Sequence, residues 1–224
     1  MMADKKGRGL LMVYTDVPPE VEDEFNRWYN EEHIPERLAI PGVLNAARYV
    51  ALQGGPKHLA CYELTEPEAW SSPEWQKWLT DPTEWSLRMS PSVVGTTYIR
   101  NLYKLIYPQD VPADTASAEM APLILVGRMS VPPELDSQFN EAYNNERLPA
   151  AYSVPGYIRG RRFESTMGEP KYTTIHEMES EKVPESSEWA GWTSAMTPAW
   201  TNTIRPQMVH TEGSPGIYKR IFPA

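Results

Sequence analysis

A small set of side chains in this 224-residue chain has the chemistry for proton transfer next to a carbonyl. His33 comes first, because an imidazole titrates near neutrality and can take or give a proton there. It stands in WYNEEHIPERLAIPG (28–42), and AYNNERLPAAYSVPG (142–156) repeats the frame with Arg147 in its place. A second set lies in HLACYEL (58–64) and YTTIHEM (172–178). Side chains alternate faces along a strand, so His58 shares a face with Tyr62, and Tyr172 shares the corresponding face with His176. Each run offers an imidazole and a phenol on one side. Facing a core, such a pair is costly without partners; a pocket wall would use it. In that scheme His33 or His176 is the general base, and Tyr62 or Tyr172 hydrogen-bonds the developing oxyanion. Arg48 and Arg162 occupy equivalent points of the preceding strand in each copy and would anchor an acidic group with a guanidinium fork. Trp28, Tyr29 and His58 would complete the substrate contacts. Each candidate has a structural alternative. His33 could supply positive charge at a helix end, a task Arg147 would perform equally well. Trp75 with Trp78, and Trp189 with Trp192, are spaced as core stripes of helices.

The elements that must position these groups occur twice. A shift of 114 places sets VPPE (17–20) on VPPE (131–134), Phe25-Asn26 on Phe139-Asn140, Tyr29-Asn30 on Tyr143-Asn144, and Pro41-Gly42 on Pro155-Gly156. Arg48, Glu63, Trp75 and Trp78 fall on Arg162, Glu177, Trp189 and Trp192. This predicts a tandem duplication: residues 1–108, a linker over 109–122 rich in Pro, Ala, Asp and Ser, and residues 123–224. Each copy reads as strand, helix, strand, strand, helix, strand. Val21, Phe25, Trp28 and Tyr29 give the first helix its apolar stripe, and the helix should weaken before Pro35. Ser71 or Ser72 is placed to cap the second helix, which Pro82 interrupts. The order predicts two ferredoxin-like βαββαβ units of class α+β. A four-stranded sheet with both helices on one face leaves the other uncovered, so the two sheets are expected to pack face to face as an α/β barrel.

The motif W-Y-N-E-E-H-I-P (28–35) with P-G (41–42), placed after a first strand, resembles the dimeric α/β-barrel superfamily, in particular its EthD-like branch. The resemblance covers both halves, the second as a diverged copy. It implies a pocket between sheet and helices, served by a His and polar aromatics. Its members include cofactor-free lyases, isomerases, decarboxylases, polyketide cyclases and oxygenases. The expectation is a cofactor-free lyase or isomerase acting on a partly apolar, aromatic or oxygenated substrate. The alternatives are a cofactor-independent monooxygenase, with Trp28 and Asn30 positioning a phenol, and a non-catalytic small-molecule binding or interaction protein.

Composition narrows the partners. A net charge of -9 argues against nucleic acid and anionic membranes, which reward clustered Lys and Arg. The short basic run RGRR (159–162) is expected to pair with glutamates. The 4 His show no close metal-ligand spacing and Cys61 is the single Cys, so neither a zinc thiolate cluster nor an internal disulfide is expected. No cofactor is implied. The first residues carry charge without an apolar run, so the reading is a cytoplasmic protein, an intrachain pseudo-dimer open to further homo-oligomerisation. With 8 Trp and 12 Tyr, the chain has ample aromatic surface for a pocket wall.

Overall fold

Period-two alternation sorts the first strand, β1 (Gly9–Asp16), into two faces: Leu10, Met12 and Tyr14 pack into one cluster, Leu11 and Val13 into another. The same sorting recurs in β2 (Val43–Gln53), β3 (His58–Leu64), β4 (Thr97–Tyr107), β5 (Leu123–Ser130), β6 (Tyr157–Met167), β7 (Tyr172–Met178) and β9 (Gly216–Phe222). The computed structural model describes residues 4–223 of the chain. Eight strands run β7-β6-β4-β1-β3-β2-β9-β5 and close through β5 onto β7, with every pairing antiparallel. A two-residue strand, β8 (Val209–His210), adds to β5 beside β9. The result is a mixed α+β fold built on a closed eight-stranded barrel.

The halves meet differently from two stacked sheets. The first contributes β4-β1-β3-β2 and the second β6-β7-β5-β9, and they join edge to edge through β2–β9 and β4–β6. An open edge strand leaves a row of unpaired N–H and C=O groups, and closure pairs them. The inner faces still share one interior, where Tyr14, Tyr49 and Tyr103 pack with Phe163, Ile175 and Tyr218. Burying one large apolar side chain there is worth roughly 1.5–3 kcal/mol. Inside the same barrel, Arg161 donates to Glu63 Oε2 at 3.0 Å and Oε1 at 2.5 Å, and to Glu177 Oε1 at 3.2 Å. Lys6 Nζ lies 3.3 Å from Glu177 Oε1. Two arginines of the RGRR run thus serve glutamates, since Arg159 also reaches Glu177. The segment 109–122 contains a short helix (Ala113–Ala116), and its end plugs the barrel: Met120 and Ala121 are buried, and Tyr49 donates to the Ala121 carbonyl at 3.0 Å.

The helices lie outside. In chain order the first are α1 (Pro19–Trp28), α2 (Ile34–Leu38), α3 (Pro73–Thr80), α4 (Glu84–Met89) and α5 (Pro91–Val94). The α1 helix does not stop before Pro35. It widens into a π-helical turn, Tyr29–His33, in which the Ile34 N–H bonds to the Tyr29 carbonyl, and then continues as α2. A proline ring clashes with the carbonyl four residues back in an α-helix, and a wider turn just before it relieves that contact. The second half repeats the device before Pro149, with a π-turn over Tyr143–Arg147. Prolines also divide the second helix of the first half into α3, α4 and α5. Ser72 caps α3, its Oγ accepting from Trp75 N at 3.2 Å, and Thr83 caps α4. Among the described residues no helix is long and apolar enough to cross a membrane.

Edge-to-edge closure carries an expected result. Residues 1–110 expressed alone would bare the β2 and β4 edges and half the apolar interior. Sedimentation velocity should show dimers or aggregates, and a well-behaved monomer would contradict the dependence of one half on the other.

Candidate active site

The π-turn decides where His33 points. In a turn of this width, residues five apart stack, and the His33 ring lies 4.5 Å from that of Trp28 as well as 5.0 Å from that of Tyr29. From β3, Tyr62 comes up beneath them, its ring 6.3 Å from the imidazole. The half-buried imidazole, Trp28, Tyr29 and Tyr62 all line a cavity of about 320 Å³ between the outer face of the sheet and the helices. Trp70, Trp75 and Trp78 wall it, and its rim includes the exposed apolar side chains Leu79, Leu87, Val93 and Tyr98. Glu32 fixes the turn from behind. Its Oε1 accepts from Trp28 Nε1 at 3.1 Å, Thr83 Oγ1 at 2.6 Å and Ser86 Oγ at 3.1 Å, tying the π-turn to α4.

Sequence reasoning missed Arg37, one turn beyond His33. It is buried, lines the cavity, and stacks over Trp75 at 5.5 Å and Trp78 at 5.9 Å. Its Nη1 has no hydrogen-bond partner, and neither has Trp75 Nε1, Tyr62 Oη or His33 Nδ1, all of them buried. Buried polar atoms without partners are uncommon and costly. Four of them on residues around one cavity mark a place where another molecule's polar groups complete the hydrogen bonding.

The electrostatics suit neutral acid–base groups. Removal from water, helped by the Arg37 and Arg48 charges, holds the His33 imidazole well below its ordinary pKa, so at neutral pH it is an acceptor. Burial, with Tyr29 beside it, raises the Tyr62 phenol well above its usual value. Burial likewise pushes Tyr29 up to about 12, although Tyr62 and Arg48 act in the other direction. Both phenols are therefore neutral donors, next to Arg37, a cation to which no carboxylate among the described residues is paired.

The remaining candidates lie elsewhere. Arg48 does not line the cavity: it donates to Asn30 Oδ1 at 2.8 Å and Asn26 Oδ1 at 2.6 Å, and stacks on Tyr29 at 4.5 Å. Arg162 does the same in the second half, with Asn144 Oδ1 at 2.7 Å and Tyr143 at 4.6 Å. His58 is buried at the start of β3, with Nε2 3.1 Å from Glu22 Oε1. Tyr172 is hydrogen-bonded to Asp136 at 3.1 Å and to Asn140 at 3.2 Å. His176 is buried, its Nδ1 2.9 Å from Tyr157 Oη, closed in by Trp189 and Trp192. Gly160 leaves room for that phenol, since a Cβ there would meet Tyr157 Oη at 2.4 Å. Burial and the Arg147 charge lower His176 to about 3, so it stays neutral. The structure thus brings together His33, Tyr29, Tyr62 and Trp28 and leaves the other five candidates off that cavity; among them Arg162 Nε and Nη2 and His58 Nδ1 are also buried without partners.

No family model matches the chain, and no curated protein does. Solved structures do match. An anthrone oxidase-like protein superposes with a TM-score of 0.61 at 13% identity, over 99% of this chain and 94% of that one. A candidate monooxygenase from Fusobacterium nucleatum subsp. nucleatum ATCC 25586 gives 0.57 at 10%, over 96% and 93%. A heme-binding protein from Thermus thermophilus gives 0.57 at 9%, over 98% and 95%. The fold is that of the dimeric α/β barrels. At these identities the likeness is one of fold, and function has to be argued from the site.

Haem is the one cofactor this set of neighbours brings in, and the residues here do not fit it. The cavity of about 320 Å³ is at the low end of the roughly 300–1,000 Å³ that small-molecule sites span, suited to a few fused rings rather than a tetrapyrrole. In the second half His176, which stands at the place of Tyr62, is bonded to Tyr157 and enclosed by indoles.

Proposed function

We propose that the first-half cavity is the active site of a small-molecule enzyme that removes a proton from a carbon conjugated with a carbonyl, on a flat, largely apolar, oxygenated aromatic substrate. One observation carries the reading: a neutral imidazole, two neutral phenols and a buried arginine face one indole-walled cavity, with His33 Nδ1, Tyr62 Oη, Arg37 Nη1 and Trp75 Nε1 lacking partners. His33 takes the proton. The C–H electron pair moves into the conjugated system and onto the carbonyl oxygen, where Tyr62, Tyr29 and Arg37 supply hydrogen bonds and positive charge. Reprotonation at a different carbon gives an isomerase, and expulsion of a leaving group gives a lyase. The indole walls keep water out, which strengthens each of these interactions.

Oxygenation is the second reading, favoured by the neighbours described as a candidate monooxygenase and as anthrone oxidase-like. It shares the first step. The same carbanion then reduces dioxygen, a C–O bond forms at the deprotonated carbon, and the hydroperoxide loses water to leave a second carbonyl. For anthrone the balance is anthrone plus O₂ to anthraquinone plus water.

The lineage belongs to this reading as well. The 114-residue repeat and the matching strand orders support two ferredoxin-like units, residues 1–108 and 123–224, derived by duplication of an EthD-like ancestor and acting as an internal pseudo-dimer. The cavity of one unit kept the histidine. A cytoplasmic setting accords with the single, buried Cys61.

Anthrone is a suitable probe, being flat and apolar, with a methylene conjugated to a carbonyl. In deuterated buffer under argon, the protein should accelerate exchange of the methylene protons, followed by NMR. Admission of air then separates the readings: oxygen uptake with anthraquinone formation identifies an oxygenase, and continued exchange without uptake a lyase or isomerase. Exchange no faster than with an equal concentration of free imidazole would remove the proton-transfer proposal.

A further inference from the structure

The second half has a groove of about 330 Å³ where the first half has its cavity wall, and different chemistry surrounds it. Arg147 stands at the His33 place, and Ala142 and Ala151 stand where the first half has Trp28 and Arg37. The guanidinium lies between two indoles, 4.6 Å from Trp192 and 5.5 Å from Trp200. Its Nη1 donates to the carbonyls of Trp192 at 3.3 Å and Ala195 at 3.2 Å, closing the end of the helix Ser187–Ser194. That leaves donors over. Arg147 Nε and Trp200 Nε1 are buried without partners, and neither group can accept a hydrogen bond. Outside the lining residues, the exposed Arg205 has its Nη1 3.2 Å from the sulfur of Met196, a groove residue. Burial lowers the Arg147 pKa, Tyr143 opposes this, and the Arg205 charge lowers it further; the two cations are linked through Met196, which lines the groove beside Arg147 and carries the Arg205 contact. Among the described residues no carboxylate forms an ion pair with either arginine. Glu146, on the groove wall, is exposed and bonded to neither.

In a chain of net charge -9, two arginines without carboxylate partners beside two indoles call for an anion from outside. We propose that this groove is a separate binding site for a small aromatic carboxylate. The guanidinium forks fit a carboxylate. The indoles with Ala150, Ala195 and Met196 give an apolar wall for the ring, and the volume suits one or two rings. An arginine cannot release its proton at physiological pH, so this is a place for holding a ligand rather than for proton transfer.

The test is calorimetric titration of the full chain with benzoate, with benzamide as the neutral counterpart and sulfate as the non-aromatic anion. Benzoate should bind at least about tenfold tighter than either, and Arg205→Gln should weaken it by about tenfold, the scale of one charge-assisted hydrogen bond. Arg147→Met should weaken it further. Because Arg147 also closes a helix end, the exposed Arg205 provides the independent variant. Arg37→Met, which removes the cation of the first-half cavity, should leave this binding in place. Benzamide or sulfate matching benzoate would overturn the proposal, as would benzoate binding indifferent to Arg205→Gln or abolished by Arg37→Met.

Discussion

Replacing His33 by Gln should lower the rate of anthrone deuteration by about 10² to 10⁴, the usual scale for a general base. The amide keeps the size of the side chain and its hydrogen bonding but cannot take the proton. The wild-type pH profile should show its acidic limb below 6.5, because burial and the Arg37 and Arg48 charges depress the imidazole's pKa. A base works deprotonated, so the rate is flat above that pKa and falls as the pH drops through it. His33→Gln should lose this limb. His33→Arg copies the residue of the second half, and it should be as inactive as His33→Gln, since arginine does not give up its proton. The helix runs on to Leu38, so His33 is not placed to supply charge at a helix end. Full exchange activity in His33→Arg would mean that the histidine takes no part in the chemistry.

The largest effect on stability should come from Arg161→Met, at about 3–5 kcal/mol, the cost of leaving a buried charge without its partner. Arg161 is 2% exposed and bridges Glu63 of the first half to Glu177 of the second. Lys6 would remain beside Glu177, but the Glu63 carboxylate would keep only a 3.4 Å bond from Gly7 N. Urea denaturation at neutral pH should show the loss, and Glu63→Gln added to Arg161→Met should recover part of it. The pH dependence has a definite sign. Burial works to raise the Glu63 pKa, but Arg161, Lys6 and the hydrogen bonds outweigh it, and the folded value lies below the ordinary one. That stability is present above the unfolded carboxyl's pKa and is lost as pH falls through the folded value. In Arg161→Met this dependence should weaken or reverse. Equal midpoints for both proteins would show that the bridge adds nothing between the halves.

Strand alternation was enough to set Tyr62 and Glu63 on opposite faces of the sheet and His176 on the face that corresponds to Tyr62, because a period of two is a rule of the backbone; which face meets the helices and which lines the barrel came only from the packing. The repeat pointed to matching strand orders in the halves, but not to how they would meet. Closure by β2–β9 and β4–β6 depends on which edges are left open, and no local residue pattern records that. The π-turns were hidden for a related reason: a proline six residues after the tyrosine is equally compatible with a broken helix. Arg48 and Arg162 looked like free anchors because their partners are distant in the chain. The signal was available, since Asn30 to Arg48 and Asn144 to Arg162 have the same separation of 18. Arg37 gave none. Only the packing of Trp75 and Trp78 shows that its guanidinium turns inward rather than to solvent.

A crystal structure with anthrone soaked into the full chain tests the central claim most directly. The account predicts the tricycle in the first-half cavity among Trp28, Trp75 and Trp78, with its carbonyl oxygen within hydrogen-bond distance of Tyr62, Tyr29 or Arg37 and its methylene facing the His33 ring. Anthrone found only in the second-half groove, or seated in the cavity with its methylene turned away from His33, would contradict it.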